Sequence, residues 1–198
     1  YPKNPSTSPM IVREEILELL KSTESYRVER TVSTGNMDKF CEAICAFAND
    51  MPNSRKNGYL IIGAYDDGEI AGMKVDDALL KKIAGIRSDG NILPLPTMSV
   101  ERFTFPEGDL LVAEVRPSDL PPVRYRGRAF IRIGPRRDIA TEVEERILTE
   151  RRCSFMATFD ATPCLNAKLD DLDLDYIKSH YLPKIFDEET LAEDKRSL

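Results

Sequence analysis

ICAFANDMPNSRKNGYLIIGAYDDGEIAG, residues 44–72, decides the fold. Its opening residues, Ala46-Phe47-Ala48-Asn49, close an amphipathic helix. A polar loop follows, and then the run Tyr59-Leu60-Ile61-Ile62, bounded by Gly58 and Gly63. A short, β-branched apolar run between glycines reads as a buried strand. Asp66-Asp67-Gly68 then makes a tight turn, in which Gly68 supplies a positive φ and the aspartates accept from nearby backbone N–H groups. Residues 69–72 are expected to return as a short strand.

On the N-terminal side, Asn36 is a helix N-cap after the break at Gly35. Met37, Phe40, Cys41, Ile44, Cys45, Ala48 and Met51 recur at three and four, as a core-facing helical stripe does. Residues 23–33 alternate like a strand, with Tyr26, Val28 and Arg30 on one face and Arg27 and Glu29 on the other. Residues 10–21 form a first helix behind a proline-rich arm. On the C-terminal side, residues 75–86 form a helix with Asp76 and Asp77 in its first turn, where the macrodipole favours acids. Strands at 98–105 and 109–116 flank the turn Pro106-Glu107-Gly108. A second hairpin is expected from 123–125 and 128–133 across Arg126-Gly127, and Thr141 with Glu144 sets a capping box for a helix to about residue 152. Residues 155–165 read as a linker or edge strand, and 173–186 as a last helix broken at Pro183. Helices mixed with hairpins and one crossover predict an α+β fold, a mixed β-sheet flanked by helices. The expected organisation is an arm and helix over 1–22, a domain over 23–153, and a linker and helix over 154–198 that could begin a further domain.

The 198 residues suffice for one domain with a real core. A 41% hydrophobic and 31% charged composition is that of an ordinary globular chain, not a disordered one. No apolar run approaches the ~18 residues of a membrane span, and no leader-like segment opens the chain, so no membrane partner is expected. Four cysteines without close pairing point to a reducing cytoplasm rather than a disulfide framework. A first residue of Tyr1 rather than Met suggests a fragment. The net charge of −6 argues against a nucleic-acid binder at face value. Its distribution softens that: residues 161–198 hold nine acids against five bases, while between Arg116 and Arg137 the only acid is Asp119.

Two constellations carry chemistry. The first is Arg124, Arg126, Arg128, Arg132, Arg136 and Arg137, interleaved with Tyr125 and Phe130, which would combine phosphate contacts with base stacking. On the expected hairpin, Tyr125, Arg128, Phe130 and Arg132 share one face, and Ala129, Ile131 and Ile133 form the apolar, core-facing one. The plainer reading is a hairpin kept soluble by its charges. The second is Glu24, Glu29 and the Asp66-Asp67 pair. If their strands are neighbours, these carboxylates could converge at one sheet edge, hold Mg²⁺ or Mn²⁺ through oxygen and activate a water against a phosphodiester. The plainer reading is a solvated strand end and a turn. A zinc site is disfavoured: Cys41 and Cys45 lie on an apolar stripe and His180 is the single histidine. No G-x-x-x-x-G-K-[ST] run occurs, which disfavours ATPase chemistry.

The order of these elements resembles the Schlafen AlbA-like domain family. The likeness runs from Glu24-Ser25 and Val28-Glu29 through Ala46-Phe47-Ala48-Asn49, the Gly58 to Gly63 strand, Asp66-Asp67-Gly68 and Gly72, to Pro122-Val123 and Phe130-Ile131-Arg132-Ile133-Gly134. It covers about residues 24–148. The chain departs from the family pattern at Arg30-Thr31, where the family has Phe-Lys, and at Gly134-Pro135-Arg136-Arg137, where it has small hydroxyl residues. The resemblance implies nucleic-acid binding in bacterial regulators. In nuclease-active Schlafens it implies cleavage of structured RNA by two glutamates and an aspartate, here Glu24, Glu29 and Asp66 or Asp67. The expected function is thus a DNA- or RNA-binding module in the N-terminal part of a bacterial transcriptional regulator-like protein. It needs no cofactor for binding, and it could form a homo-oligomer. The alternatives are an endoribonuclease dependent on Mg or Mn, and a module for self-association or domain docking.

Overall fold

The structure, a computed structural model, describes residues 11–22, 25–156, 168 and 171–186. The chain divides into two compact units, residues 1–156 and 157–198. The first is built on a four-stranded sheet in the order β1-β2-β5-β4. β1 (Val28–Thr31) runs parallel to β2 (Gly58–Ile62), with Glu29 opposite Leu60. β5 (Gly108–Val115) is antiparallel both to β2 and to β4 (Met98–Phe105). The sheet is mixed and the fold is α+β, as the pattern of elements predicted.

β2 is buried on both faces, so its apolar run does not alternate. Leu60 and Ile62 face one core with α2 (Met37–Asn49) and Ile83 of α3 (Asp77–Gly85). Tyr59 and Ile61 face a second core with Val28, Leu110, Val112 and the α1 (Arg13–Lys21) residues Ile16 and Leu20. α1 therefore belongs to the sheet's unit and does not stand apart with the arm. Burying a single Leu or Ile side chain contributes about 1.5–3 kcal/mol, so two opposed cores on one strand make β2 the spine of the unit. Asn36 caps α2 by accepting from Lys39 N at 3.3 Å, and Asp76 caps α3 by accepting from Leu79 N at 2.7 Å.

Three expectations change. Residues 69–72 do not form a strand; one bridge joins Ala64 and Ile70, because Gly63 and Gly72, at φ 108° and 69°, turn the chain away on either side of it. The second hairpin is split. β6 (Arg124–Tyr125) pairs with β3 (Ile92–Leu93), and β7 (Phe130–Ile133) pairs with β8 (Arg136–Ile139). The Thr141–Glu144 capping box forms, but α4 (Glu142–Met156) runs past residue 152. Leu148 of α4 packs on Ala129, Ile131 and Ala140 in a third small core. The linker or edge strand expected over 155–165 falls mostly outside the described residues, as does the arm over 1–9.

In the second unit, Asp173 caps α5 (Leu174–Tyr176) by accepting from Tyr176 N at 2.9 Å. A π-helical turn, Ile177–Tyr181, and α6 (Leu182–Ile185) continue the same run. Pro183 does not break it: the proline lies in the first turn of α6, and the widened turn just before it absorbs the missing N–H.

Candidate nucleic-acid interface

β7 alternates as the sequence predicts, but both of its faces are covered as far as Arg132, and Ile133, expected in the core, is 61% exposed where the strand runs out past α4. Ala129 and Ile131 lie under α4, while Phe130 packs into the α2 core. Arg132 follows Phe130 onto that inner face and is 3% exposed. Its guanidinium pairs with Glu29 of β1, donates to Pro135 O at 2.6 Å, to Ser25 O at 3.2 Å and to Val28 O at 3.3 Å, and lies over the Phe47 ring at 5.3 Å. Arg137, opposite Arg132 across the hairpin, donates to both Glu29 oxygens at 2.7 and 2.9 Å and reaches Glu42 at 3.2 Å. Two arginines of the expected surface stripe are thus an internal clamp on one carboxylate.

The stripe's aromatic partners are also internal, since Tyr125 and Phe130 are buried core residues. No base can stack on them without unfolding the hairpin. Arg124 pairs with Glu145 of α4 at 2.6 Å. Arg126 lies 3.3 Å from Asp38, to which Tyr125 also donates at 2.6 Å. Arg136 remains 81% exposed beside Asp138 at 3.5 Å, and Arg128 is exposed with no ion pair among the described residues. Arg126 and Gly127, at φ 46° and 80°, form a two-residue turn closed by Tyr125 N to Arg128 O at 2.9 Å and Arg128 N to Tyr125 O at 3.0 Å. Both central residues have positive φ, the mark of a type I′ hairpin turn, which holds the Arg126 and Arg128 side chains out from the surface.

The acidic positions do not converge among the described residues. Glu24 lies outside them. β1 and β2 are neighbours as the metal hypothesis required, yet Glu29 faces α2 with both oxygens on guanidinium groups. Arg30, next along β1, faces the other way, with its guanidinium on Leu19 O at 2.5 Å, Leu20 O at 3.3 Å, Ser22 O, and Asp66 O at 3.0 Å. It gathers the last carbonyls of α1 and fixes the acidic turn to them. Asp66 thus meets the sheet through its backbone on the face opposite Glu29, and its side chain is exposed. No group of three His, Cys, Asp or Glu residues among those described could hold a metal ion. Glu29 and Asp66 therefore lie on opposite faces of the sheet and do not share one site. Burial pushes the Cys41 thiol up to about 11 and the Cys45 thiol up to about 12, which keeps both protonated and poor ligands at neutral pH.

Sequence reasoning passed over the roles of Asn49 and Arg30. Asn49 Nδ2 donates to Val123 O at 2.9 Å and Phe130 O at 2.8 Å, and its Oδ1 accepts from Val123 N at 2.7 Å. The signal was available in a polar residue at a buried position of the α2 stripe, which must be satisfied by something it touches.

The chain belongs to the Schlafen AlbA_2 family, whose model matches residues 24–141, more than half of its length. No curated protein matches the sequence significantly. Among solved structures, the chain is similar to the N-terminal domain of a Nitrosomonas europaea protein described as related to the ATP-dependent DNA helicase RecG. The identity is 21%, with 55% of this chain and 74% of that one covered, and the TM-score is 0.42. It is also similar to the DIP2311 protein of Corynebacterium diphtheriae, at 18% identity, 90% and 39% coverage and a TM-score of 0.47. Family membership rests on the match to residues 24–141. No described helix is long and apolar enough to cross a membrane.

Proposed function

We propose that this chain is a DNA- or RNA-binding module, part of a longer cytoplasmic regulator of the transcription-factor kind. The observation that carries it is the turn at residues 125–128, which presents Arg126 and Arg128 to solvent on a fixed backbone, with Arg136 exposed at the far end of β7. Guanidinium groups held this way contact phosphates without a cofactor. Family membership supports the same reading. Arg132 and Arg137 have a different part in it: they hold the hairpin against β1. The endoribonuclease alternative, with Glu24, Glu29 and Asp66 around Mg²⁺ or Mn²⁺, would require Glu29 to leave two guanidinium groups, and no observation favours it. Self-association through a sheet edge is the other alternative; β4 is such an edge, but it carries Glu101 and Arg102 at its centre, which oppose pairing with a second copy.

Fluorescence anisotropy with labelled single-stranded and duplex oligonucleotides across a salt series tests the proposal. Binding that weakens linearly in log–log salt is expected, and Arg128→Ala with Arg136→Ala should flatten the slope by about 1.4–1.8, the sum of two phosphate contacts. Absence of binding at low salt, or binding indifferent to salt, overturns the reading. Mn²⁺-dependent cleavage of a transfer RNA, lost in EDTA and in Glu29→Gln, would replace it with the nuclease.

A further inference from the structure

We infer that the groove between the end of α1, the acidic turn at residues 66–69 and the β4–β5 turn docks a segment of a partner protein in which apolar side chains lie between lysines or arginines. The inference does not rest on nucleic-acid binding, and either reading can fail without the other. The groove has a volume of about 620 Å³. That is within the roughly 300–1,000 Å³ usual for binding sites. Leu17, Ile70 and Phe105 supply its apolar surface, and Leu17 is 38% exposed there. Asp67, Glu69 and Glu107, all exposed, supply its acidic one.

The three walls are held in place. Buried Arg30 donates to Leu19 O and Leu20 O of α1 and to Asp66 O of the turn, so one guanidinium sets the gap between helix and turn. The turn is closed by Gly68 N to Tyr65 O and Tyr65 N to Glu69 O, both at 2.9 Å, and Asp67 Oδ1 accepts from Glu69 N at 2.9 Å. The β4–β5 turn is tied to the chain that follows Ile70. Asp109 N donates to Met73 O at 2.8 Å, and the Asp109 carboxylate accepts from Val75 N at 3.0 Å. Arg13 lies over the Phe105 ring at 4.3 Å and joins that wall to α1. A groove shaped before its partner arrives loses little to ordering when the partner binds.

Charge selects the occupant. Among the described lining residues, Lys21 is the one base against Asp67, Glu69 and Glu107. None of these three acids makes an ion pair among the described residues. They are open to a partner's cations, and they repel a phosphate backbone. The groove lies open along the surface rather than enclosed. A small ligand is usually 70–90% buried in its site, so an open apolar groove suits a peptide that lays alternate or periodic side chains into it. The apolar side chains of such a segment rest on Leu17, Ile70 and Phe105, and its lysines or arginines reach the acids on either side. The groove is on the α1 face of the sheet, with Arg30, whereas Glu29 holds the β7–β8 hairpin on the α2 face. A partner in the groove therefore leaves the exposed arginines of that hairpin open.

The test is fluorescence anisotropy of the full chain with three short labelled synthetic peptides. One alternates leucine with lysine, one has serine in place of leucine, and one has glutamate in place of lysine. The leucine–lysine peptide is expected to bind more tightly than either of the others, by about tenfold or more. Glu69→Lys with Glu107→Lys, and separately Leu17→Ser, all at exposed positions, are each expected to weaken its binding by about tenfold. Glu142→Lys with Glu150→Lys, at exposed positions of α4, makes the same change of charge elsewhere and is expected to alter little. Unaltered melting by circular dichroism shows that the variants are folded; should the double groove variant melt early, Glu107→Lys alone serves, with a loss of affinity again expected. Equal binding of the leucine and serine peptides, or equal losses in the groove and α4 variants, overturns the inference, because attraction to the net charge of −6 then suffices. A wild-type chain that binds none of the peptides overturns it too. Concentration-dependent sedimentation that Glu107→Lys abolishes gives the groove to a second copy of the chain and likewise overturns it. The proposed function is unaffected by any of these results, since it is read from Arg128→Ala and Arg136→Ala on oligonucleotides.

Discussion

Glu29 shows how much one side chain's surroundings decide. By type and position it could be a metal ligand, a surface acid or an internal counter-ion; two buried guanidinium groups make it the last. Arg132 is 3% exposed and Arg137 16%, so neither can recover its hydration if the carboxylate is removed. Removing one partner of a buried pair costs about 3–5 kcal/mol. Glu29→Ala is therefore expected to lower the unfolding free energy in urea by about that amount, with the midpoint falling and the slope unchanged. An exposed catalytic carboxylate would behave otherwise: its loss would leave stability as it was or raise it.

At the scale of elements, α2 is tied to the β6–β7 segment by polar contacts as well as by packing. The Asn49 amide supplies two donors and one acceptor to the backbone of Val123 and Phe130, in the way an adjacent strand would. Asn49→Ala leaves a buried N–H and two carbonyls without these partners, and a loss of about 3 kcal/mol is expected by chemical denaturation. Close packing fixes the other side of the helix. A Cβ on Gly58 would stand 2.3 Å from the Phe47 ring, so β2 can begin beside α2 only with glycine there. Both contacts explain residues that the sequence marks out, Phe47 and Asn49 in one tetrapeptide and Gly58 at the strand's entry, by what they touch.

For the whole molecule, the boundary that matters lies before the family match. The match begins at residue 24, yet Ile16 and Leu20 of α1 cover Val28, Ile61 and Leu110, and Arg30 gathers the carbonyls that end α1. Gly68 fits under that helix end so closely that a Cβ would stand 2.0 Å from Leu20 O. A fragment of residues 11–156 is expected to melt in one cooperative transition near that of the full chain. A fragment of residues 24–156, with one core face of the sheet bare, is expected to aggregate or to melt without cooperativity. Circular dichroism and light scattering on the two fragments check this, and equal melting of both would show that α1 adds nothing to the sheet.

Local sequence determined most of the elements. The apolar run at 59–62, the stripe of α2, the caps at Asn36 and Thr141 and the Pro106-Glu107 turn act over a few residues, so their physics is legible without the fold. The alternation of β7 was equally legible, and it correctly put Phe130 and Arg132 on one face. What covers that face was not. A strand pattern says that two faces differ, and it cannot say that α2 lies on one and α4 on the other. For the same reason, the choice between a surface arginine stripe and an internal clamp awaited the approach of β1, which brings Glu29 to Arg132 across more than a hundred residues of chain.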